Sequence, residues 1–198
     1  LHLIPESSTS VLGPFYLNEL FNIEQISKSL PVGCCLYVKE HQSMVGERNL
    51  TFYKKVNRIP NVKMVSVNYY RDPKPWIDNS IGVISVTGTA AFEAALIGKK
   101  SIVFGDVSFN VIDGITRAYS FEDLPKLISN LGLIDNTHSC AAYISTVKLL
   151  GTEINLKYLI NEGEQILNGK KMMSNKYLSE INSLNDFFEK STGYFNLN

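Results

Sequence analysis

Thr87, Gly88 and Thr89 stand between two apolar runs, and Glu93 is the one charge within Ala90–Ile97. A short turn of hydroxyl residues and glycine ahead of a helix leaves backbone N–H groups at the helix's positive end, where a phosphate binds well. The same three residues also read as a tight turn with a helix cap. Glu93 follows Thr89 by four residues rather than the three of a capping box. It either gains from the helix dipole or points to the rim and accepts hydrogen bonds from ribose hydroxyls, since an unpaired buried carboxylate is costly. His41 lies between Lys39-Glu40 and Gln42. It reads as a surface histidine or as a phosphate partner, with Lys39 beside it. Glu6 reads as a general base, a rim hydrogen-bonding group or an exposed loop carboxylate. Ser7, Ser8, Thr9 and Ser10 either contact phosphate or sugar hydroxyls or cap the next helix. His2 and His138 are given no role. No acidic pair or His/Cys set has metal-ligand spacing, so neither a metal nor a bound cofactor is expected.

The elements that would position these residues alternate. Leu1–Ile4 reads as a short buried strand ending at Pro5. Phe15, Leu20, Ile23, Ile26 and Leu30 recur at helical spacing, with Pro31-Val32-Gly33 as the stop. Cys34–Val38 is the next strand, Phe52, Val56 and Ile59 suggest a short helix, and Val62–Val67 a further strand. Tyr69–Pro75 is a loop, and Trp76–Asn79 a helical turn. Val83–Val86, the Thr87–Thr89 turn, the apolar helix Ala90–Ile97, Gly98 and Ser101–Phe104 make one βαβ unit. Asp106–Asn110 is a loop at a strand end. Ser120 with Asp123 opens a helix whose apolar face is Leu124, Leu127, Ile128 and Leu131, with Gly132 as its stop. From Ser139 onward the pattern is helical only. Alternation of this kind predicts an α/β fold: a parallel sheet with helices on both faces over 1–131 and a C-terminal helical extension over 132–198. Ligands of such sheets bind at the carboxyl ends of the strands. The Glu6–Ser10, Lys39–Ser43, Thr87–Thr89 and Asp106–Asn110 loops all lie there.

The 198 residues suffice for one domain with a real core, and 44% hydrophobic against 19% charged residues fits a globular protein. Nineteen basic and nineteen acidic residues leave no net charge, which argues against a large nucleic-acid footprint. Cys34, Cys35 and Cys140 form neither a zinc spacing nor a disulfide framework and read as reduced, buried thiols of a cytoplasmic protein. No run has the apolar length of a membrane span.

Taken together, LHLIPESSTSVLG, LYVKEH, FYKKV…IPNV and VISVTGTAAFEAALIGKKSIVFG resemble the nucleotide-binding half of bacterial capsule and surface-polysaccharide biosynthesis proteins. These are glycosyltransferases of the two-lobed GT-B type, and the likeness covers residues 1–130. The resemblance implies a Rossmann-like lobe that transfers a sugar from a nucleotide-sugar donor, CMP-linked, to a growing glycan acceptor. In this broad group a His-Pro motif and a Ser/Thr-rich motif hold the phosphate and nucleoside of the donor. Position by position, His41 matches the first motif, and Thr87, Gly88, Thr89 and Glu93 match the second. Gln42 replaces the usual Pro, which loosens the His41 loop. The resemblance further implies an amino-terminal, acceptor-binding lobe outside these residues, and a cytoplasmic protein peripheral to inner-membrane capsule machinery. An epimerase of the same fold, a polyol-phosphate polymerase and a non-catalytic nucleotide- or glycan-binding partner are the rival expectations.

Overall fold

A computed structural model of the chain describes residues 1–5, 7–65 and 72–195. The chain divides into two compact units, Leu1–Tyr143 and Ile144–Asn198, the boundary falling inside one helix, where the sequence pattern alone placed it after 131.

The first unit alternates helix and strand. Helix α1 (Ser7–Leu12) leads through a 3-10 turn at Pro14–Tyr16 into α2 (Glu19–Ser29). Strand β1 (Leu36–Lys39), α3 (Leu50–Val56), β2 (Val62–Val65) and α4 (Lys74–Asp78) follow. Then come β3 (Val83–Ser85), α5 (Ala90–Leu96), β4 (Ser101–Val103), β5 (Ile115–Arg117), α6 (Leu124–Ser129) and the start of α7 (Thr137–Leu150). Strands β1 and β2 pair in parallel, Leu36 facing Val62 and Lys39 facing Val65. Strands β3, β4 and β5 form a second parallel sheet, with Val83 facing Ser101 and Ser101 facing Ile115. The expected α/β architecture of parallel strands flanked by helices is therefore present and consistent with a Rossmann-like fold.

Residue alternation along β4 explains why helices cover both faces of its sheet. Val103 faces a core of Ala91, Ala95, Val107, Phe109, Ile112 and Ile115, into which Cys140 of α7 also packs. Ile102 and Phe104 face the opposite core, with Ile26 of α2 and Leu124 and Ile128 of α6. A third cluster, Ile23, Val38, Val56 and Val62, fastens α2 and α3 to the β1–β2 pair. Each fully buried large apolar side chain of this kind contributes about 1.5–3 kcal/mol relative to exposure.

Five expectations need correction. Ser7–Ser10, expected in a loop, form the start of helix α1. Leu1–Ile4 forms no ladder, although Leu1 and His2 bond to the strand ends of the two sheets, as described below. Phe15 is 91% exposed and lies outside α2, because Asn18 caps that helix by accepting from the Phe21 N–H at 3.2 Å and so starts it at Glu19. Strand β5 carries only three residues, one of them buried, too little alternation to register in the sequence. The two sheets are not joined by a ladder among the described residues, where one sheet was expected. The helix start at Ser120 does hold: Ser120 and Asp123 form a reciprocal capping box. The stretch Tyr69 to Arg71 lies outside the described residues.

In the second unit, α8 (Leu156–Leu167) and α9 (Asn175–Phe195) follow the end of α7. Asn155 caps α8 by accepting from the Tyr158 N–H at 3.0 Å, and its own N–H donates to Glu180 of α9 at 3.0 Å. Lys171 pairs with Glu162 at 2.8 Å. Among the described residues no helix is long and apolar enough to cross a membrane.

Candidate functional site

The carboxyl ends of the strands carry most of the residues singled out by the sequence, and one unassigned residue ties them together. His2 is buried between the ends of β1 and β3. Its ring Nε2 accepts a hydrogen bond from the Val86 N–H at 3.1 Å and lies 3.3 Å from the Ser85 hydroxyl. On the other side of the ring, Nδ1 lies 3.3 Å from Thr9 Oγ1, and Thr9 Oγ1 lies 2.9 Å from Thr87 Oγ1. An amide N–H can only donate, so Nε2 must be the unprotonated nitrogen. The neutral ring therefore carries its proton on Nδ1 and donates it to Thr9. Protonating Nε2 would set two donors against each other. Burial, reinforced by the positive charges of the Leu1 amino group, His41 and Arg48, lowers the His2 pKa to about 4.

The backbone around His2 is held as firmly. Its N–H donates to Glu19 Oε1 at 2.7 Å, and its carbonyl accepts from Arg48 Nη2 at 3.0 Å. The Leu1 nitrogen donates to the Lys39 carbonyl at the end of β1, 2.7 Å away. Leu1–Ile4 thus bridges the two sheets, with β1 and β2 on one side and β3, β4 and β5 on the other. The chain crosses from β2 on the first side to β3 on the second. In doubly wound sheets such a reversal marks the ligand crevice at the carboxyl ends of the strands.

Around that crossing the residues take different places. Thr87 is 7% exposed, and its hydroxyl faces Thr9. The Gly88 N–H donates to the Ser85 hydroxyl at 2.9 Å, and a Cβ on Gly88 would come within 2.6 Å of that oxygen and 3.3 Å of His2 Cε1. Only glycine lets the turn lie this close to the ring. Thr89 is exposed at the head of α5 and donates its hydroxyl hydrogen to Glu93 Oε1 at 3.2 Å, so these two form one polar unit at the mouth of the turn. Glu93 is half-buried, not sealed in the core. His41 is half-buried after β1, and its Nδ1 accepts from the Ser43 N–H at 3.2 Å. In the neutral ring this leaves Nε2–H as a donor for an anionic oxygen. The Lys39 side chain is half-buried at the same strand end. Glu6 lies outside the described residues.

Beneath the His41 loop lies a buried charge cluster that sequence spacing did not reveal. Arg48 Nε donates to Glu40 Oε2 at 2.9 Å, and Nη2 reaches Glu40 Oε1 at 3.3 Å. Nη1 lies 2.5 Å from Glu19 Oε2 as an ion pair whose N–H is not aligned for a hydrogen bond. Glu40 also accepts from the Tyr53 hydroxyl at 2.8 Å and from the His41 N–H at 2.8 Å. Burial works against the Arg48 charge, but the hydrogen bonds to Glu40 and the charges of Glu19 and Glu40 outweigh it and raise its pKa. Burial and the bond to Glu40 push the Tyr53 hydroxyl up to about 12. Glu40 thereby fixes the backbone of His41, and Arg48 fixes His2.

Farther along the rim, Arg117 at the end of β5 pairs with Asp106 at 3.2 Å and lies over the Tyr119 ring. Among the described residues no group of three His, Cys, Asp or Glu side chains is placed to hold a metal ion. The site can thus offer an anionic ligand the His41 Nε2–H and the head of α5, with the Glu93 carboxylate as a hydrogen-bond acceptor.

No protein-family model matches this chain, no curated protein matches it, and no solved structure matches it. The site must be argued from its own geometry. Of its residues, sequence reasoning missed His2, Ser85, Glu19, Glu40 and Arg48. The available signal was the charge of Glu19, Glu40 and Arg48 beside apolar runs, and nothing local distinguishes these from solvated residues.

Proposed function

We propose that the Leu1–Tyr143 unit binds the nucleotide part of a sugar donor at this crevice and serves as the donor lobe of a glycosyltransferase in capsular or surface-polysaccharide synthesis. The observation that supports the reading is the crossing point itself: His2 joins α1 to the β3 turn there, and Arg48, which holds the His2 carbonyl, also binds the Glu40 carboxylate that accepts from the His41 N–H. In the reaction an acceptor hydroxyl oxygen bonds to the anomeric carbon, the bond from that carbon to the phosphate oxygen breaks, and the hydroxyl proton passes to a base. Glu6 is the candidate base within this chain. The His41 Nε2–H and the head of α5 stabilise the charge that grows on the leaving phosphate. Glu93 accepts from ribose hydroxyls. The donor is CMP-linked, the acceptor is a glycan held with a second lobe, and the protein works in the cytoplasm at the inner-membrane capsule machinery.

Calorimetric titration with CMP, UDP and GDP tests this. CMP is expected to bind in preference to the other two, and Glu93→Ala and His41→Ala to weaken it by about tenfold each, the equivalent of one hydrogen bond. A folded protein that binds none of the three overturns the reading. A preference for UDP retains the nucleotide site and discards the CMP-sugar assignment.

A further inference from the structure

We infer that His2 is the positioning residue of this crevice: its neutral imidazole clamps α1 to the Val86–Thr89 turn and so sets where the head of α5 and its Thr89–Glu93 pair stand. The inference rests on the nucleotide-site reading, and three independent features of the geometry carry it. First, the ring is used on both sides, accepting from Val86 on β3's end and donating to Thr9 on α1, elements more than seventy residues apart in the chain. Second, the turn is fitted to the ring, since any side chain at Gly88 would collide with Ser85 and crowd His2 Cε1. Third, the residue is itself held by Glu19 and Arg48, which leave its backbone little room to move. A histidine that only filled space would not need both nitrogens and two charged backbone partners.

The Nδ1–H tautomer is the specific consequence. An apolar residue of similar size fills the volume but offers neither the acceptor for Val86 nor the donor for Thr9. The turn is then free to drift by the few tenths of an ångström that a phosphate site does not tolerate.

The test combines a spectrum with a binding comparison. Long-range proton–nitrogen spectra of the wild-type protein should show His2 as the Nδ1–H tautomer at pH 7. CMP titrations are then run on wild type, His2→Phe, His2→Gln and Thr9→Val, each checked for folding by its thermal transition. We expect His2→Phe to weaken CMP binding by about tenfold, and His2→Gln, whose side-chain oxygen can accept from Val86, to recover part of the loss. If His2→Phe does not fold, Thr9→Val, which keeps the shape and removes the hydroxyl, carries the comparison with an expected loss of several-fold. Wild-type CMP affinity in folded His2→Phe and Thr9→Val, or an Nε2–H tautomer, overturns the role of His2 while leaving the donor site intact. Failure of the wild type to bind any nucleotide overturns the site and this role with it.

Discussion

Replacing Arg48 by methionine tests the charge cluster on which the His41 and His2 backbones both rest. The substitution keeps much of the side-chain volume and removes the guanidinium that pairs with both Glu19 and Glu40, whose side chains are 5% and 2% exposed. Both carboxylates keep some donors: Glu40 retains the Tyr53 hydroxyl and the His41 N–H, and Glu19 retains the His2 N–H. Breaking a buried pair by removing one partner costs about 3–5 kcal/mol. The remaining donors, and the 11% of Arg48 that reaches solvent, place this case at the low end, about 3 kcal/mol. That is a large share of the roughly 5–15 kcal/mol that holds a domain folded. At about 4 °C per kcal/mol for a unit of this size, Tm should fall by about 12 °C. Arg48→Lys keeps the charge but loses the fork that spans Glu40 and the His2 carbonyl, so it should lie between the two. Adding Glu40→Gln to Arg48→Met removes one stranded charge, and the double variant should be more stable than the sum of the single losses implies. The assay is urea unfolding at pH 7.5, read by the fluorescence of Trp76, the one tryptophan, which lies against Tyr37 at 5.6 Å. An Arg48→Met variant within 1 kcal/mol of wild type would refute the premise that the cluster is buried and mutually neutralising.

Three further outcomes follow from the same geometry. Because His2 is held neutral, with its pKa near 4 against 6.5 for an exposed histidine, the unfolded chain binds the extra proton first as the solution is acidified. Its contribution is whole above about pH 6.5 and is lost toward pH 4; by pH 5 the loss is about 2 kcal/mol, read as the difference in urea stability between pH 7.5 and 5 that His2→Gln abolishes. The groups facing His2 (Glu19, Arg48, His41 and the Leu1 amino group) stay in place in that comparison, so an unchanged pH slope in the variant would sink the assignment. At Gly105 a Cβ would overlap the Thr87 methyl and come within 3.1 Å of both the Leu12 and Val86 carbonyl oxygens, so Gly105→Ala should cost about 1–3 kcal/mol, and an unchanged urea midpoint would contradict the packing. Burial, and then the charge of Asp113, push the Cys140 thiol up, whereas Cys34 and Cys35 are half-buried. Iodoacetamide should therefore modify Cys34 or Cys35 before Cys140 in the native protein, as peptide mass spectrometry would show; early labelling of Cys140 would contradict its place in the core.

How much of this was legible in the sequence depends on how far each signal reaches along the chain. The unit from Val83 to Val103 was legible because its strand, turn, helix and stop are all local, and α5 and β4 lie where the apolar runs place them. Phe15 misled because periodicity counts an apolar residue without registering the Asn18 cap that starts the helix after it. Strand β5 escaped because a three-residue strand on a sheet edge shows one buried apolar residue and no alternation to detect.

The site was legible in position but not in polarity. Thr87 was rightly set on a strand-end turn, but Thr9, expected in a loop after a strand, lies within α1; in the folded chain their hydroxyls face each other at 2.9 Å, and Thr89 bonds to Glu93. A rim threonine can satisfy its hydroxyl with the protein or with a ligand, and composition alone does not separate the two. What separates them is a partner brought in from elsewhere, here His2, which lies seven residues from Thr9 and eighty-four from Val86. The same holds for Arg48, whose carboxylate partners come from a helix start and a strand end. A guanidinium enters a core only where acidic groups meet it, and that meeting is decided by the crossing of the sheet halves rather than by any run of residues. Once these internal bonds are counted, the His41 Nε2–H and the Glu93 carboxylate still face outward. They are fewer than the residues the sequence nominated, and they are the ones on which a nucleotide-binding test should concentrate.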